Sequence, residues 1–297
     1  MKTRIITGVS AALVAIAAII FMQYPLVMGI LGAFFAGVSV YEILHVIKCE
    51  NKVIMGISVA FGAIVPLYND IKAYVTYHTE SDFFDGFKMP VWIVLAVYTF
   101  VILLVMLRMY EKTKFEHAAM AIFSSVAIGF SYSTLVFLRD LDHVYPEHLQ
   151  QAQSFFIVLG SLYCAWISDT FAYFFGRKLG KHKLAPRISP KKSVEGAVAG
   201  VLGTVVVALI TFFVASHWFD RYPDTIKWWM VALVTAAGVI MGMCGDLSAS
   251  VIKRNYGEKD FGTIFPGHGG VMDRFDSFLF ALPTVYIIIT LVMSFVS

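Results

Sequence analysis

Four aspartates in the C-terminal half of the chain lie inside or beside long apolar runs, where a carboxylate is costly. Asp169 and Asp246 fall within such runs, whereas Asp273 and Asp276 stand three residues apart at the start of the last one. An acid at the centre of a membrane helix costs roughly 2.5–3.5 kcal/mol, so these side chains are expected to face a protein interior or a wet cavity. Grouped carboxylates hold Mg²⁺ well when substrate phosphates complete its shell.

A structural ion pair with Lys or Arg would explain a single intramembrane acid about as well as a catalytic role does. Four acids at one depth favour a metal instead. Asp169 precedes Arg177 by eight residues and Asp246 precedes Lys253 by seven, which places both roughly 10–12 Å below the predicted membrane rim. The predicted metal ligands are Asp169, Asp246, Asp273 and Asp276.

The segment 253–276 combines glycines with basic residues. Its sequence Pro-Gly-His-Gly-Gly at 266–270 lets the backbone approach a ligand closely and turn its N–H groups toward an anion. An ordinary tight turn would explain the glycines alone, but the surrounding positive charge favours phosphate. The predicted catalytic residues here, besides the aspartates, are Lys253, Arg254, His268 and Arg274, and the predicted substrate-binding residues are Lys259, Asp260, Gly267, Gly269 and Gly270.

A second basic segment, 176–195, precedes the seventh apolar run. Ser193 is a plausible N-cap, and a helix N-terminus beside two lysines attracts phosphate. A basic loop that follows the positive-inside rule or touches anionic lipid is the alternative. No Walker or Rossmann sequence is present, which excludes the familiar soluble nucleotide folds. The predicted substrate-binding residues are Ser189, Lys191, Lys192, Ser193 and Glu195.

Membrane helices must position these residues, because the composition excludes a soluble fold. The chain is 59% hydrophobic and 14% charged, against roughly 45–50% and 25% in soluble domains. A membrane helix needs roughly 17–25 apolar residues, and we predict an all-α bundle of nine spans. The third is short and is also compatible with a re-entrant segment. The predicted spans are Ile5–Met22, Pro25–Val46, Val53–Leu67, Pro90–Leu107, Ala118–Leu138, Ser154–Phe175, Gly196–His217, Trp228–Ile252 and Ser277–Phe295.

The first apolar run is interpreted as a retained helix. It is longer than the core of a signal peptide and leads into Gln23-Tyr24-Pro25, which is not a small-residue cleavage site. In the second span, Glu42 and His45 share a face, and a buried hydrogen-bonded pair explains them as well as a catalytic role does.

The distribution of basic residues predicts the orientation. With nine alternating spans, 18 of the 23 Lys and Arg residues fall on the side of the N-terminus. Basic loops stay in the cytoplasm, so the N-terminus is predicted to be cytosolic and the C-terminus outside. Residues 1–138 would then form five spans that serve as scaffold and give lipid access, and residues 154–297 would form the catalytic region. The protein is expected in the cytoplasmic membrane, and the segments 176–195 and 253–276 of the catalytic region are expected to face the cytosol.

The longest run of these residues resembles a known family signature. Residues 250–276 are similar to the signature of the CDP-diacylglycerol synthases (phosphatidate cytidylyltransferases) and show no departure from it. The run reads Ser250-Val-Ile-Lys-Arg, then four residues, then Lys259-Asp260-Phe-Gly-Thr-Ile-Phe-Pro-Gly-His-Gly-Gly-Val-Met-Asp273-Arg274-Phe-Asp276. Residues 168–177, 189–196 and Gly245-Asp246 also resemble this family, in its order. The close similarity covers about 160–277, and before it only the topology and Tyr41-Glu42 match.

The resemblance implies that CTP condenses with phosphatidic acid to give CDP-diacylglycerol and pyrophosphate. It also implies Mg²⁺ and, as a further cation, a monovalent ion such as K⁺. Asp246, Asp273 and Asp276 would then hold metal, with Asp169 lining the same cavity and His268 at the leaving group. The bilayer is the other expected partner, nucleic acid is not expected, and a homodimer is compatible with the sequence, which does not fix the oligomeric state.

Three other functions share part of this chemistry or of this membrane setting. A CTP-dependent polyprenol or lipid kinase would share a membrane-embedded nucleotide site but transfer the γ-phosphate. An ion transporter would explain intramembrane acids but not the Pro-Gly-His-Gly-Gly segment. A CDP-alcohol phosphotransferase would need a DxxDG…AR…GxxxD…D cluster, which the sequence lacks.

Overall fold

Helices account for nearly all of the regular structure. The computed structural model describes residue 17 and residues 19–79, 90–149, 151–218, 226–265, 267 and 269–296. The helices are α1 (Val27–Val46), α2 (Lys52–His78), α3 (Val91–Arg108), α4 (Phe115–Arg139), α5 (Leu141–Val144), α6 (Gln151–Leu179), α7 (Val194–Trp218), α8 (Trp228–Asn255), α9 (Met272–Phe275) and α10 (Phe278–Val296), with a 3₁₀ turn at Tyr110–Lys112 and strands β1 (Lys183–Ala185) and β2 (Ser189–Ser193).

Eight helical stretches within the described residues are long and apolar enough to cross a membrane. They correspond to the second through ninth predicted spans and confirm the mostly helical membrane fold. The first predicted span, Ile5–Met22, lies largely outside the described residues. The orientation of the bundle stays a prediction.

The third predicted span differs most from the structure. Helix α2 has 27 residues and continues through Pro66 to His78, so it is long enough to span the hydrocarbon core, and the expectation of a short segment ending at Leu67 was wrong. Membrane helices tolerate an internal proline because neighbouring groups satisfy the freed backbone. Beyond the proline, Asp70 is fully buried and its Oδ2 accepts a hydrogen bond of 2.6 Å from the backbone N–H of Gly29.

The chain divides into two compact units. The first holds the described residues up to Val136 together with Tyr256–Arg274, and the second holds Phe137–Asn255 and the residues from Phe275 onward. The segment 256–274 thus clusters with the N-terminal helices, from which it is far removed in sequence.

Polar contacts join the helices of the first unit. The Tyr98 hydroxyl of α3 lies 2.9 Å from the Ser58 hydroxyl of α2 and 2.7 Å from the Ser125 hydroxyl of α4. The Asn69 amide of α2 donates to the Ser133 hydroxyl of α4 over 3.0 Å. Between membrane helices, such hydrogen bonds supplement van der Waals packing, since lipid removes much of the hydrophobic driving force.

Small residues allow close packing of α6, α7, α8 and α10 in the second unit. A Cβ atom placed on Gly200 of α7 would lie 3.0 Å from the Ser168 carbonyl of α6, and one on Gly245 of α8 would lie 2.7 Å from the Asp276 carbonyl. Such close approach of backbones is typical of membrane helix interfaces. It also brings Asp169 and Asp246 onto helices that pack against each other.

The segment between α6 and α7 is a β-hairpin rather than an irregular loop. Strands β1 and β2 pair antiparallel, with Lys183 opposite Ser193 and Ala185 opposite Ser189. Strand β2 runs directly into α7 at Val194. The hairpin therefore fixes the residues just before the helix.

Candidate active site

An ion pair between Lys192 and Asp246 lies at the centre of the polar residues of the second unit. The Lys192 ammonium, at the end of β2, contacts Oδ2 of Asp246 on α8. The two side chains are 27% and 18% exposed, so solvent screens the contact only in part. Burial lowers the pKa of Lys192 below its ordinary value, whereas the neighbouring Asp169 and Asp276 carboxylates act in the opposite direction.

A second buried pair of opposite charges belongs to the same cluster. Lys253 and Asp276 are each 8% exposed. Asp276 interacts electrostatically with Lys253, Lys192 and Asp169, and its Oδ1 accepts a 2.7 Å hydrogen bond from the Ser277 N–H. We call this group the acid–lysine cluster; it consists of Asp169, Lys192, Asp246, Lys253 and Asp276.

The acid–lysine cluster has the donor chemistry that Mg²⁺ prefers. Its three carboxylates outnumber its two ammonium groups, and carboxylate oxygens are hard ligands suited to Mg²⁺. Among the described residues, however, no three His, Cys, Asp or Glu side chains are close enough to hold a metal ion. Lys192 also contacts the same Asp246 carboxylate that a metal would use. A cation bound here would need phosphate or water for its remaining ligands, and Lys192 would have to leave the Asp246 carboxylate.

The fourth predicted ligand, Asp273, belongs to the first unit and holds the segment 256–274 together. Its Oδ2 accepts hydrogen bonds from the Phe261 N–H over 2.7 Å and the Gly270 N–H over 2.9 Å. The Phe265 N–H also donates to the Gly269 carbonyl over 2.9 Å. The segment is thus a closed loop built around one carboxylate, and we call it the glycine loop.

Three described glycines of this loop, Gly257, Gly267 and Gly269, adopt backbone angles that other residues rarely take. Gly267 has φ of 79° and Gly269 of 85°, in the region that glycine enters without a steric cost. A Cβ atom on Gly269 would also lie 2.7 Å from Oδ2 of Asp273. The glycines are therefore required by the conformation of the loop, whatever ligand it binds.

Glu42 contacts the glycine loop within the first unit, and the sequence left its role open. It is 2% exposed on α1, and its two carboxylate oxygens accept from the Val271 N–H over 3.0 Å and the Met272 N–H over 2.8 Å. A Cβ atom on Gly262 would lie 2.5 Å from its Oε1, so the loop wraps closely around this side chain. Of the two alternatives that the sequence left open, a buried pair with His45 is wrong, because His45 is exposed and stacks on Tyr41.

The hairpin residues show how the start of α7 is built. Ser193 caps the helix, since its Oγ accepts from the Gly196 N–H over 3.2 Å. Glu195 accepts from the backbone N–H groups of Lys181 over 3.0 Å and His182 over 3.2 Å, which ties the hairpin to the helix. Its place among the substrate ligands stays a prediction.

The remaining predicted residues lie mostly at the surface. Lys191, Arg254, Lys259, Asp260, Gly267 and Arg274 are exposed, whereas Ser189 and Gly269 are half-buried and Gly270 is buried. His268 lies outside the described residues.

Comparison with known proteins places this arrangement in a family. The model of the cytidylyltransferase family matches residues 2–292. The chain belongs to the cytidylyltransferase family. A relative from Bacillus subtilis (strain 168), a phosphatidate cytidylyltransferase, is 31% identical over 291 residues, which cover 98% of each chain. One from Staphylococcus saprophyticus, with the same name, is 29% identical over 290 residues, or 97% of this chain and 99% of the relative.

The similarity to this family is higher over part of the chain. A phosphatidate cytidylyltransferase of Staphylococcus haemolyticus is 42% identical over 132 residues, which cover 44% of this chain and 48% of the relative. The Bacillus relative, by contrast, matches nearly from end to end. Membership of the cytidylyltransferase family therefore applies to the whole length of the protein.

Proposed function

We propose that this protein is a phosphatidate cytidylyltransferase, which condenses CTP with phosphatidic acid to give CDP-diacylglycerol and pyrophosphate in phospholipid biosynthesis. The full-length family match supports this activity. The structural observation that carries it is the acid–lysine cluster, in which Asp169 and Asp246 lie within membrane helices and Lys192 lies in the hairpin before α7. A lipid phosphate and a soluble nucleotide can meet at such a place.

In the proposed reaction, an oxygen of the phosphatidate phosphate attacks the α-phosphorus of CTP. The new P–O bond forms as the bond between the α-phosphorus and the bridging oxygen breaks, and pyrophosphate leaves with that electron pair. Phosphoryl transfers of this kind depend on positioning and charge neutralisation. In this proposal Lys192 and Lys253 would neutralise phosphate oxygens, and the exposed basic residues that would assist them are Lys191, Arg254, Lys259 and Arg274. His268 is assigned to the leaving group.

We assign Asp246, Asp276, Asp169 and Asp273 as the residues that would hold Mg²⁺, with K⁺ as a further cation. Bound there, Mg²⁺ would neutralise the charge that develops on the phosphates. The protein's own contribution is to hold these carboxylates in place, through the lysines in the second unit and the backbone N–H donors in the glycine loop. The active site is proposed to face the cytosol, from which CTP arrives, and a homodimer is the proposed assembly.

The position of the transferred phosphorus tests this function. With CTP labelled at the α-phosphate and phosphatidic acid in mixed micelles, we expect the label in a lipid product. With CTP labelled at the γ-phosphate, we expect it in pyrophosphate. Transfer of the γ-label to lipid would contradict the proposal and establish a CTP-dependent lipid kinase.

A further inference from the structure

A polar cavity of about 440 Å³ lies in the first unit, apart from the residues assigned to the reaction. Its wall is formed by the residues that follow α1, by the 3₁₀ turn before α4, by the first turn of α4 and by Tyr256. The residues used below are Lys48, Lys112, Lys114, Glu116, His117 and Tyr256. We propose that this cavity is a binding site for a phosphate group.

A buried imidazole is the observation that indicates a ligand. His117 lines the cavity and is only 7% exposed. Within the part of the chain that the structure describes, its Nδ1 has no hydrogen-bond partner. A buried polar atom without a partner costs about 1–3 kcal/mol, so this nitrogen requires a group from outside the described chain. In one tautomer it donates an N–H, which suits a phosphate oxygen.

The charges of the cavity determine which ligand the imidazole would receive. Lys48, Lys112 and Lys114 line it, and the N-terminus of the 25-residue helix α4 begins beside Lys114. The N–H groups and dipole at a helix N-terminus favour an anion. A phosphate has enough acceptor oxygens for several of these donors at once.

Three carboxylates also border the cavity, and they do not form a cation site. Glu116 accepts a hydrogen bond from the Tyr256 hydroxyl, and Glu50 and Glu111 are exposed side chains. No described group of three acidic, histidine or cysteine side chains is close enough to hold a metal. Because the three lysines are exposed like Glu50 and Glu111, the preference for an anion rests on the lysines together with the buried imidazole and the N–H groups at the start of α4.

The cavity is held in shape before any ligand binds. The Asn51 amide, whose oxygen also caps α2, donates to the Thr113 hydroxyl over 2.7 Å. Tyr256 is the first residue of the glycine loop. A phosphate in this cavity would thus rest against the start of that loop.

The test is an NMR titration of the full protein labelled with ¹⁵N-histidine. The His117 signal is assigned as the one lost in His117→Gln. Inorganic phosphate in detergent and nanodiscs containing phosphatidylglycerol are the two probes, compared with chloride and with phosphatidylcholine nanodiscs. We expect at least one probe to shift the His117 signal, and the probe that does so distinguishes a soluble phosphate from a lipid headgroup.

A second variant removes one charge without altering the buried histidine. Because a hydrogen bond to a charged group is lost, Lys114→Gln should weaken binding about tenfold. Lys52→Gln, an exposed lysine outside the cavity in the same unit, should leave binding unchanged. The proposal fails if neither probe shifts the His117 signal at millimolar concentration, or if Lys114→Gln binds as tightly as Lys52→Gln.

Discussion

At the scale of residues, the Lys192–Asp246 contact places a cation against the carboxylate that the proposed metal needs. The side chains are part-buried, so removing one charge leaves the other in a poorly solvated environment. We propose that the pair serves two states, in which Lys192 contacts the carboxylate before substrate binds and a phosphate afterwards.

Asp246→Asn tests this assignment. The amide keeps the volume but removes an anionic ligand for Mg²⁺, so we expect turnover to fall by at least ~10²-fold, as when a preorganised transition-state contact is lost. Folding should survive, because Lys192 is 27% exposed and keeps Asp169 and Asp276 as neighbouring carboxylates. Turnover is measured with labelled CTP over a range of Mg²⁺ concentrations.

The matched control is Glu147→Gln, an exposed acid in the described part of a predicted outer loop, which should be silent. Near-full Mg²⁺-dependent turnover in a normally folded Asp246→Asn protein would show that Asp246 holds no metal.

Glu42 is predicted to position the glycine loop. Both of its carboxylate oxygens accept backbone N–H groups, whereas Glu42→Gln keeps one acceptor and turns an NH₂ group toward the other donor. A buried donor left without an acceptor costs about 1–3 kcal/mol. We expect kcat to fall about tenfold or more, and protease cleavage within 256–274 to become faster.

His45→Gln, one turn further along α1 and exposed, is the control and should retain kcat. Glu42→Asp should retain more kcat than Glu42→Gln, because it keeps an anionic acceptor. If Glu42→Gln stays within twofold of the wild-type kcat, its contacts serve stability alone.

Contacts between residues close in the sequence were predictable, and contacts between distant residues were not. The Ser193 cap was predictable because its donor is three residues away. The partners of Glu42 were not predictable, since they are 229 and 230 residues away in the chain. The only local signal was an acid in an apolar run, and that signal does not identify the partner.

At the scale of elements, the apolar helices were predictable and the polar connections were not. Because in a membrane the helix length follows bilayer thickness, hydropathy alone gave, to within a few residues, the positions of α1, α3, α4, α6, α7, α8 and α10. Helix α2 was predicted too short because its second half carries Asn69, Asp70 and Lys72. Asp70 is accommodated by the Gly29 backbone, a tertiary contact that hydropathy does not register.

The β-hairpin gave no strand signal in the sequence. Its second strand reads Ser-Pro-Lys-Lys-Ser, with no apolar alternation and a proline, which strands normally avoid. Pairing with β1 and the Glu195 contacts to the backbone of Lys181 and His182 hold it instead. A hairpin of this kind depends on its contacts with the helix it precedes.

Ser193→Ala tests whether the cap secures this connection. Loss of an N-cap costs about 1 kcal/mol, so the free energy of unfolding should fall by about that amount, as measured by thermal or denaturant unfolding in detergent. Ser189→Ala, on the same strand without a capping bond at a helix start, should have a smaller effect. Equal stability of the two variants would show that the cap contributes nothing beyond the hairpin pairing.

At the scale of the whole molecule, the glycine loop groups with the N-terminal helices although it follows α8 in sequence. The prediction that residues 154–297 form the catalytic region stays a prediction, and Glu42, which precedes residue 138, contacts the glycine loop. From the sequence alone, the glycine loop was expected to group with the helices next to it in the chain. The backbone contacts to Glu42 assign it to α1.

The orientation of the bundle is the last prediction, and it decides whether the proposed site can reach CTP. Placing 18 of 23 basic residues on one side predicts a cytosolic N-terminus and cytosolic segments at 176–195 and 253–276. In a background with Cys244, the exposed cysteine, changed to Ser, we expect Lys181→Cys to resist a membrane-impermeant thiol reagent in intact cells. Asp220→Cys, between the seventh and eighth predicted spans, should be labelled, and both should react after lysis. Labelling of Lys181→Cys but not Asp220→Cys in intact cells would reverse the orientation and place the acid–lysine cluster on the side without CTP, which would overturn the proposed cytosolic site.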